Sequence, residues 1–144
     1  VKNRIQSSNE FGRLRQEKLE KFEKKLGTPL PEEYREYLLE HNGGSPTRIA
    51  IVLEGEKEPF TVVNQLFGIH EGPQYNRLDN TYEQLKQVLP ADLLAIGDDP
   101  GGNILGIRIE GKEKGSIFFW NHENCKTLKL AESFKSFLEN LERD

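Results

Sequence analysis

The chain has 144 residues, 35% of them hydrophobic and 31% charged, which is enough apolar material for one core and too short a chain for two independent ones. Twenty Lys and Arg against 24 Asp and Glu leave a net charge of −4, which argues against a general binder of nucleic acid or anionic membrane and makes any charged partner a basic one. A single cysteine, Cys125, excludes an intramolecular disulfide, no apolar run approaches the roughly 20 residues of a membrane helix, and residues 1–26 carry no apolar stretch of signal-peptide type, so the expected location is the cytoplasm.

The charge is uneven. Residues 1–29 hold eight basic and four acidic side chains, and residues 30–144 hold twelve basic and twenty acidic. Phe11, Leu14, Leu19, Phe22 and Leu26 recur at three- to five-residue steps, which predicts one apolar helical stripe stopped by Gly27. A second helix is expected over Pro31 to His41, with Pro31 in the first turn, Glu32 and Glu33 at the positive end of the dipole, and Tyr34, Tyr37, Leu38 and His41 facing inward. Asn42-Gly43-Gly44 ends it through positive-φ backbone.

The period then becomes strand-like at Arg48–Leu53 and Phe60–Phe67, joined by a turn over Glu54–Pro59. Gly68–Arg77, with Gly, Pro and Asn, reads as an irregular surface loop. A third helix fits Asn80–Leu89, with Tyr82, Leu85, Val88 and Leu89 inward. Three strands follow at Leu93–Gly97, Ile104–Ile109 and Ser116–Asn121, as an antiparallel meander, and a last helix at Ala131–Leu141. The order αα, ββ, α, βββ, α lacks βαβ alternation. It predicts one α+β domain over residues 1–144: a largely antiparallel twisted sheet of about five strands with helices packed around it.

Few segments suggest chemistry. Gly106 to Lys112 matches the start of a phosphate-binding loop, but Glu113 stands where a Ser or Thr must hold magnesium, and Ile107 and Ile109 alternate as in a strand. His122 and Cys125 supply two soft side chains where structural zinc takes four. Asp98-Asp99-Pro100-Gly101-Gly102-Asn103 places two carboxylates at a strand end, where they could bind magnesium or act as acid and base. Asp, Asn, Pro and paired Gly also explain it as a turn. Residues 71–103 hold six acidic and two basic side chains. Phe118-Phe119-Trp120 reads as an interior strand, with a partly open Trp120 available as an interface anchor.

The segment Leu30-Pro31-Glu32-Glu33-Tyr34 through Leu38, followed by Asn42-Gly43-Gly44, resembles the LP-x-x-Y-x-x-x-L and Asn-Gly-Gly signature of the SUKH superfamily. That group includes fungal cell-wall-assembly regulators and bacterial toxin-immunity proteins. Two further blocks match in order: Ala95–Asp99 with Gly102–Ile104 and Phe119–His122, and Leu130–Leu138. Where many relatives have Gly-Gly-Asp, this chain has Gly101-Gly102-Asn103, which weakens a metal reading. The resemblance implies an α+β domain with no catalytic residues and no cofactor. In bacteria it implies an immunity protein that binds and neutralises a cognate toxin, often a nuclease. The partner expected on this basis is a basic toxin domain, with no direct contact to nucleic acid or membrane, met by Glu71, Tyr75, Asp79, Asp98, Asp99 and Trp120. Two alternatives stand beside it: a non-catalytic regulatory module akin to the fungal branch, and a metal-dependent hydrolase using Asp98 and Asp99.

Overall fold

The computed structural model describes residues 4–143. β1 (Ile5–Gln6) is followed by α1 (Gln16–Leu26), which buries Leu19 and Phe22. Phe11 and Leu14, expected on the same helical stripe, precede the helix, because Gly12, a poor helix former at φ 108°, lies between them and the helix starts only after the extended Arg15. Leu14 still reaches the core. α2 (Glu32–His41) buries Tyr34, Tyr37, Leu38 and His41, as its spacing predicts. It ends in three successive positive-φ residues, Asn42, Gly43 and Gly44, at 43°, 102° and 84°, and the Tyr37 hydroxyl donates to the Gly43 carbonyl. Glu23 ties α1 to α2, accepting from the Leu30 N–H at 2.7 Å and from Arg35 Nε at 3.1 Å.

β2 (Ser45–Pro46) pairs with β1, and β3 (Ala50–Ile51) with β4 (Thr61–Val62). The central sheet is antiparallel throughout and follows chain order: β5 (Gln65–Leu66), β6 (Leu93–Asp98), β7 (Ile104–Arg108), β8 (Ile117–Trp120) and β9 (Thr127–Ala131). Two strands differ from expectation. The stretch 60–67 is divided between two sheets: Val63 N donates to Ile49, whereas Asn64 N and Phe67 N donate to Asp98 and Ile96. One strand edge cannot serve both partners, and the switch falls at the polar pair Asn64-Gln65. β9 escaped detection because its exposed Thr127 and Leu128 mask the alternation of an edge strand.

α3 (Leu78–Leu85) begins two residues earlier than expected and buries Leu78 and Thr81. It ends before Val88 can complete the stripe, so Val88 is 55% exposed, whereas Tyr82 and Leu85 pack half-buried against the core and Leu89 is buried. α4 (Phe134–Glu139) is shorter than expected because β9 occupies the chain as far as Ala131. Its start is fixed by a capping box between Ser133 and Ser136. The two ends of the described chain meet: Arg4 Nη1 donates to the Glu139 carbonyl at 2.8 Å, and Ala50 and Glu142 exchange backbone hydrogen bonds. No helix among the described residues is long and apolar enough to cross a membrane.

The segment 68–77 corrects the surface-loop expectation, since Gly68, Ile69, His70 and Asn76 are buried. Polar side chains from elsewhere satisfy its backbone, which lets it enter the interior. Gly68 lies against Asn42 so closely that an added Cβ would fall inside contact distance of the Asn42 carbonyl oxygen. Gly68→Ala is therefore expected to cost on the order of 3 kcal/mol in denaturant titration. At Gly111, which has φ +85° but open space around it, the same change is expected to cost only about 1 kcal/mol of backbone strain.

Candidate functional site

A buried network of side-chain amides organises one end of the molecule. Asn42 Nδ2 donates to the Gly12 and Ile69 carbonyls, both at 2.8 Å, and its Oδ1 accepts from the Ile69 N–H at 2.8 Å. Asn76 Nδ2 donates to Gln65 Oε1 at 2.9 Å and to the Leu66 carbonyl at 3.3 Å. Gln65 Nε2 donates to the Tyr75 carbonyl and to Asp98 Oδ2, each at 3.2 Å. The Gly72 N–H donates to His70 Nδ1 at 2.9 Å, so the ring proton sits on Nε2, which faces Asn76 Oδ1 at 3.0 Å. The Phe11 ring packs on His70 with centroids 4.6 Å apart. An unbroken chain of hydrogen bonds thus runs from Asp98 at the surface through Gln65 and Asn76 to His70.

The residues singled out from sequence fall into two sets. Tyr75 is 69% exposed and Gln65 links its carbonyl to Asp98. Glu71 is exposed and reaches Lys18 at 3.4 Å. Asp79 sits on the first turn of α3 and pairs with Arg77 at 2.9 Å. Tyr75 and Asp98 are thus brought together through Gln65, while Glu71 and Asp79 lie on the same 70–79 stretch, each paired with a cation. Asp99 and Trp120 do not join them, each being 5% exposed. The expectation of a partly open Trp120 is corrected: β8 lies between β7 and β9, and its indole is part of the core.

The two adjacent aspartates have separate tasks. Asp99 closes the turn: Oδ1 accepts from the Gly101 and Asn103 N–H groups at 3.0 and 2.8 Å, and Oδ2 accepts from Thr61 Oγ1 and Asn103 Nδ2 at 2.7 and 3.1 Å. All four contacts come from donors of the protein itself, so the carboxylate serves the turn. Burial pushes the Asp99 carboxyl up, but hydrogen bonds from Thr61, Asn103 and Gly101 outweigh it and hold the group below the usual carboxylate range. Asp98 moves the other way, because burial outweighs its bonds from Asn64 and Gln65, with the neighbouring Asp99 charge adding to the rise.

Beside Tyr75 lies a polar cleft of about 360 Å³ that sequence reasoning missed. Its walls are the 7–11 turn (Ser7, Glu10, Phe11), the end of α2, and Asn64, Gln65, Tyr75 and Asn76. The signal present in the sequence was the polar doublet Asn64-Gln65 interrupting an otherwise apolar run. Local spacing has no means of showing that it meets residues 7–11.

A family model described as SMI1 / KNR4 family (SUKH-1) matches residues 13–140. Comparison with curated proteins returns no match.

The opposed aspartates give a pH test. A depressed carboxyl contributes stability that is present above the ordinary carboxylate range and lost as pH falls through its folded pKa. Asp99→Asn is expected to cost about 2 kcal/mol at neutral pH by denaturant titration. The gap from wild type should close as pH falls through the carboxylate range; a gap constant with pH would contradict this account of Asp99.

Proposed function

Because the chain belongs to the SMI1/KNR4 family (SUKH-1), we propose that it is a cytoplasmic, non-enzymatic immunity protein that binds and neutralises a cognate toxin domain. The observation that carries the reading beyond family membership is the face around Tyr75. A largely exposed aromatic ring stands on a segment anchored by buried amides, with Gln65 joining its backbone to Asp98 and Glu10 across the cleft beside it. An exposed Tyr on a rigid support is the kind of residue that dominates binding energy, and the Asp98 and Glu10 carboxylates, with no ion pair among the described residues, favour a positively charged partner. The basic cleft of a nuclease toxin is such a surface. An inhibitor of this kind requires no chemistry of its own. Asp99 and Trp120 act as supports, holding the β6–β7 turn and the sheet beneath it.

Co-expression with toxin domains encoded beside the gene tests the reading. Growth rescue and a stable complex are expected, and if no neighbouring toxin is bound or neutralised the immunity assignment is wrong. In the complex, Tyr75→Ala should weaken binding at least tenfold, about 1.4 kcal/mol or more by calorimetry. Raising salt should slow association far more than it hastens dissociation, as expected of rim carboxylates.

A further inference from the structure

The cleft beside Tyr75 carries a carboxylate with no cationic side chain beside it. Three of the four amide side chains lining it have both N–H hydrogens committed inside the protein: Asn42 to the Gly12 and Ile69 carbonyls, Gln65 to the Tyr75 carbonyl and Asp98, and Asn76 to Gln65 and the Leu66 carbonyl. The fourth, Asn64, has one hydrogen committed to Asp98 at 2.9 Å. Three of the four amide oxygens are engaged as well, Asn42 Oδ1 by the Ile69 N–H, Gln65 Oε1 by Asn76 Nδ2 and Asn76 Oδ1 by His70 Nε2. The Glu10 carboxylate and Asn64 Oδ1 take part in no hydrogen bond or ion pair with a described residue, and no cationic side chain among the described residues lines the cleft.

A cleft that carries an unpaired carboxylate and no cationic side chain favours a positively charged guest that donates hydrogen bonds. An anion or a carbonyl would meet the bare Glu10 carboxylate. A guanidinium has five N–H donors, no acceptor and a flat face, and the exposed Tyr75 ring at the lip offers a stacking surface for that face. Asp98, bonded to both Asn64 and Gln65, adds negative charge directly behind the wall.

We infer that this cleft receives an arginine side chain of the partner polypeptide, with Glu10 and Asn64 Oδ1 accepting its hydrogen bonds and Tyr75 covering its face. The inference rests on the immunity reading for the partner being a protein, and it specifies the chemistry that the partner presents.

The test uses the full 15N-labelled chain and N-acetyl-arginine N-methylamide as probe, with the uncharged isostere N-acetyl-citrulline N-methylamide as control. Expected are saturable NMR shifts at the Asn64 side-chain amide and at Ser7, Glu10, Gln65 and Tyr75, with the citrulline probe at least about fivefold weaker. Glu10→Gln and Tyr75→Ala, both surface changes, should each weaken the arginine probe by about fivefold with the rest of the spectrum unmoved. Absence of saturable shifts, equal binding of both probes, or indifference to both substitutions would overturn the inference. The probe needs no toxin, so the outcomes separate: arginine binding without toxin neutralisation leaves the cleft chemistry standing and removes the immunity reading, and the reverse result removes the cleft alone.

Discussion

One asparagine side chain holds the functional end of the molecule together. Asn42 sits at the left-handed terminus of α2, where the helix would otherwise open into solvent, and is buried with every polar atom of its amide bonded. Its three bonds join the N-terminal arm at Gly12, the helix end and the strand exit at Ile69. Gly68 is in contact with the same residue's backbone. Remove the amide and a buried N–H and two carbonyls lose their partners together, each costing roughly 1 to 3 kcal/mol. The segment bearing Glu71, Tyr75 and Asp79 is therefore a loop in appearance and a rigid shelf in mechanics.

The sheet supplies the opposite wall. β5 contributes only two paired residues, yet through Asn64 and Gln65 it couples the Tyr75 carbonyl to Asp98. The neighbouring Asp99 shapes the turn that follows, and Asn103 Oδ1 extends that turn by accepting from the His122 N–H at 3.1 Å at the end of β8. Two carboxylates in sequence thus stabilise different things: one faces outward with its charge held at some cost of desolvation, the other is held ionised by donors of its own turn and of Thr61. Acidity at this face is fixed in place by the fold.

Where the determinants are local, they could be read from residues alone. α2 was legible almost to the residue, because its stripe, its proline entry and its Asn-Gly-Gly exit lie within fifteen consecutive positions. The Asp98–Asn103 turn was legible for the same reason. The division between β4 and β5 was not, since it depends on which distant edge each half finds. β9 was hidden because an edge strand needs only one apolar side. The cleft was the least visible, as its walls come from residues 7–11, 42–45, 64–65 and 75–76, and no spacing rule links them. Trp120 was misjudged for the converse reason: an aromatic on a strand is exposed or buried according to what the neighbouring strands cover.

The meeting of the two chain ends bears on when the protein becomes competent. The arm that forms one wall of the cleft is pinned through Arg4 to the backbone of α4, a contact spanning 135 residues, and β1 pairs with β2 beside it. During synthesis, the 4–11 arm emerges well before its anchor in α4. A nascent chain can therefore assemble α1 and α2 early, but its binding face reaches final form only once α4 has left the ribosome. Truncation at the C-terminal helix should accordingly impair a surface built almost entirely from residues before position 100.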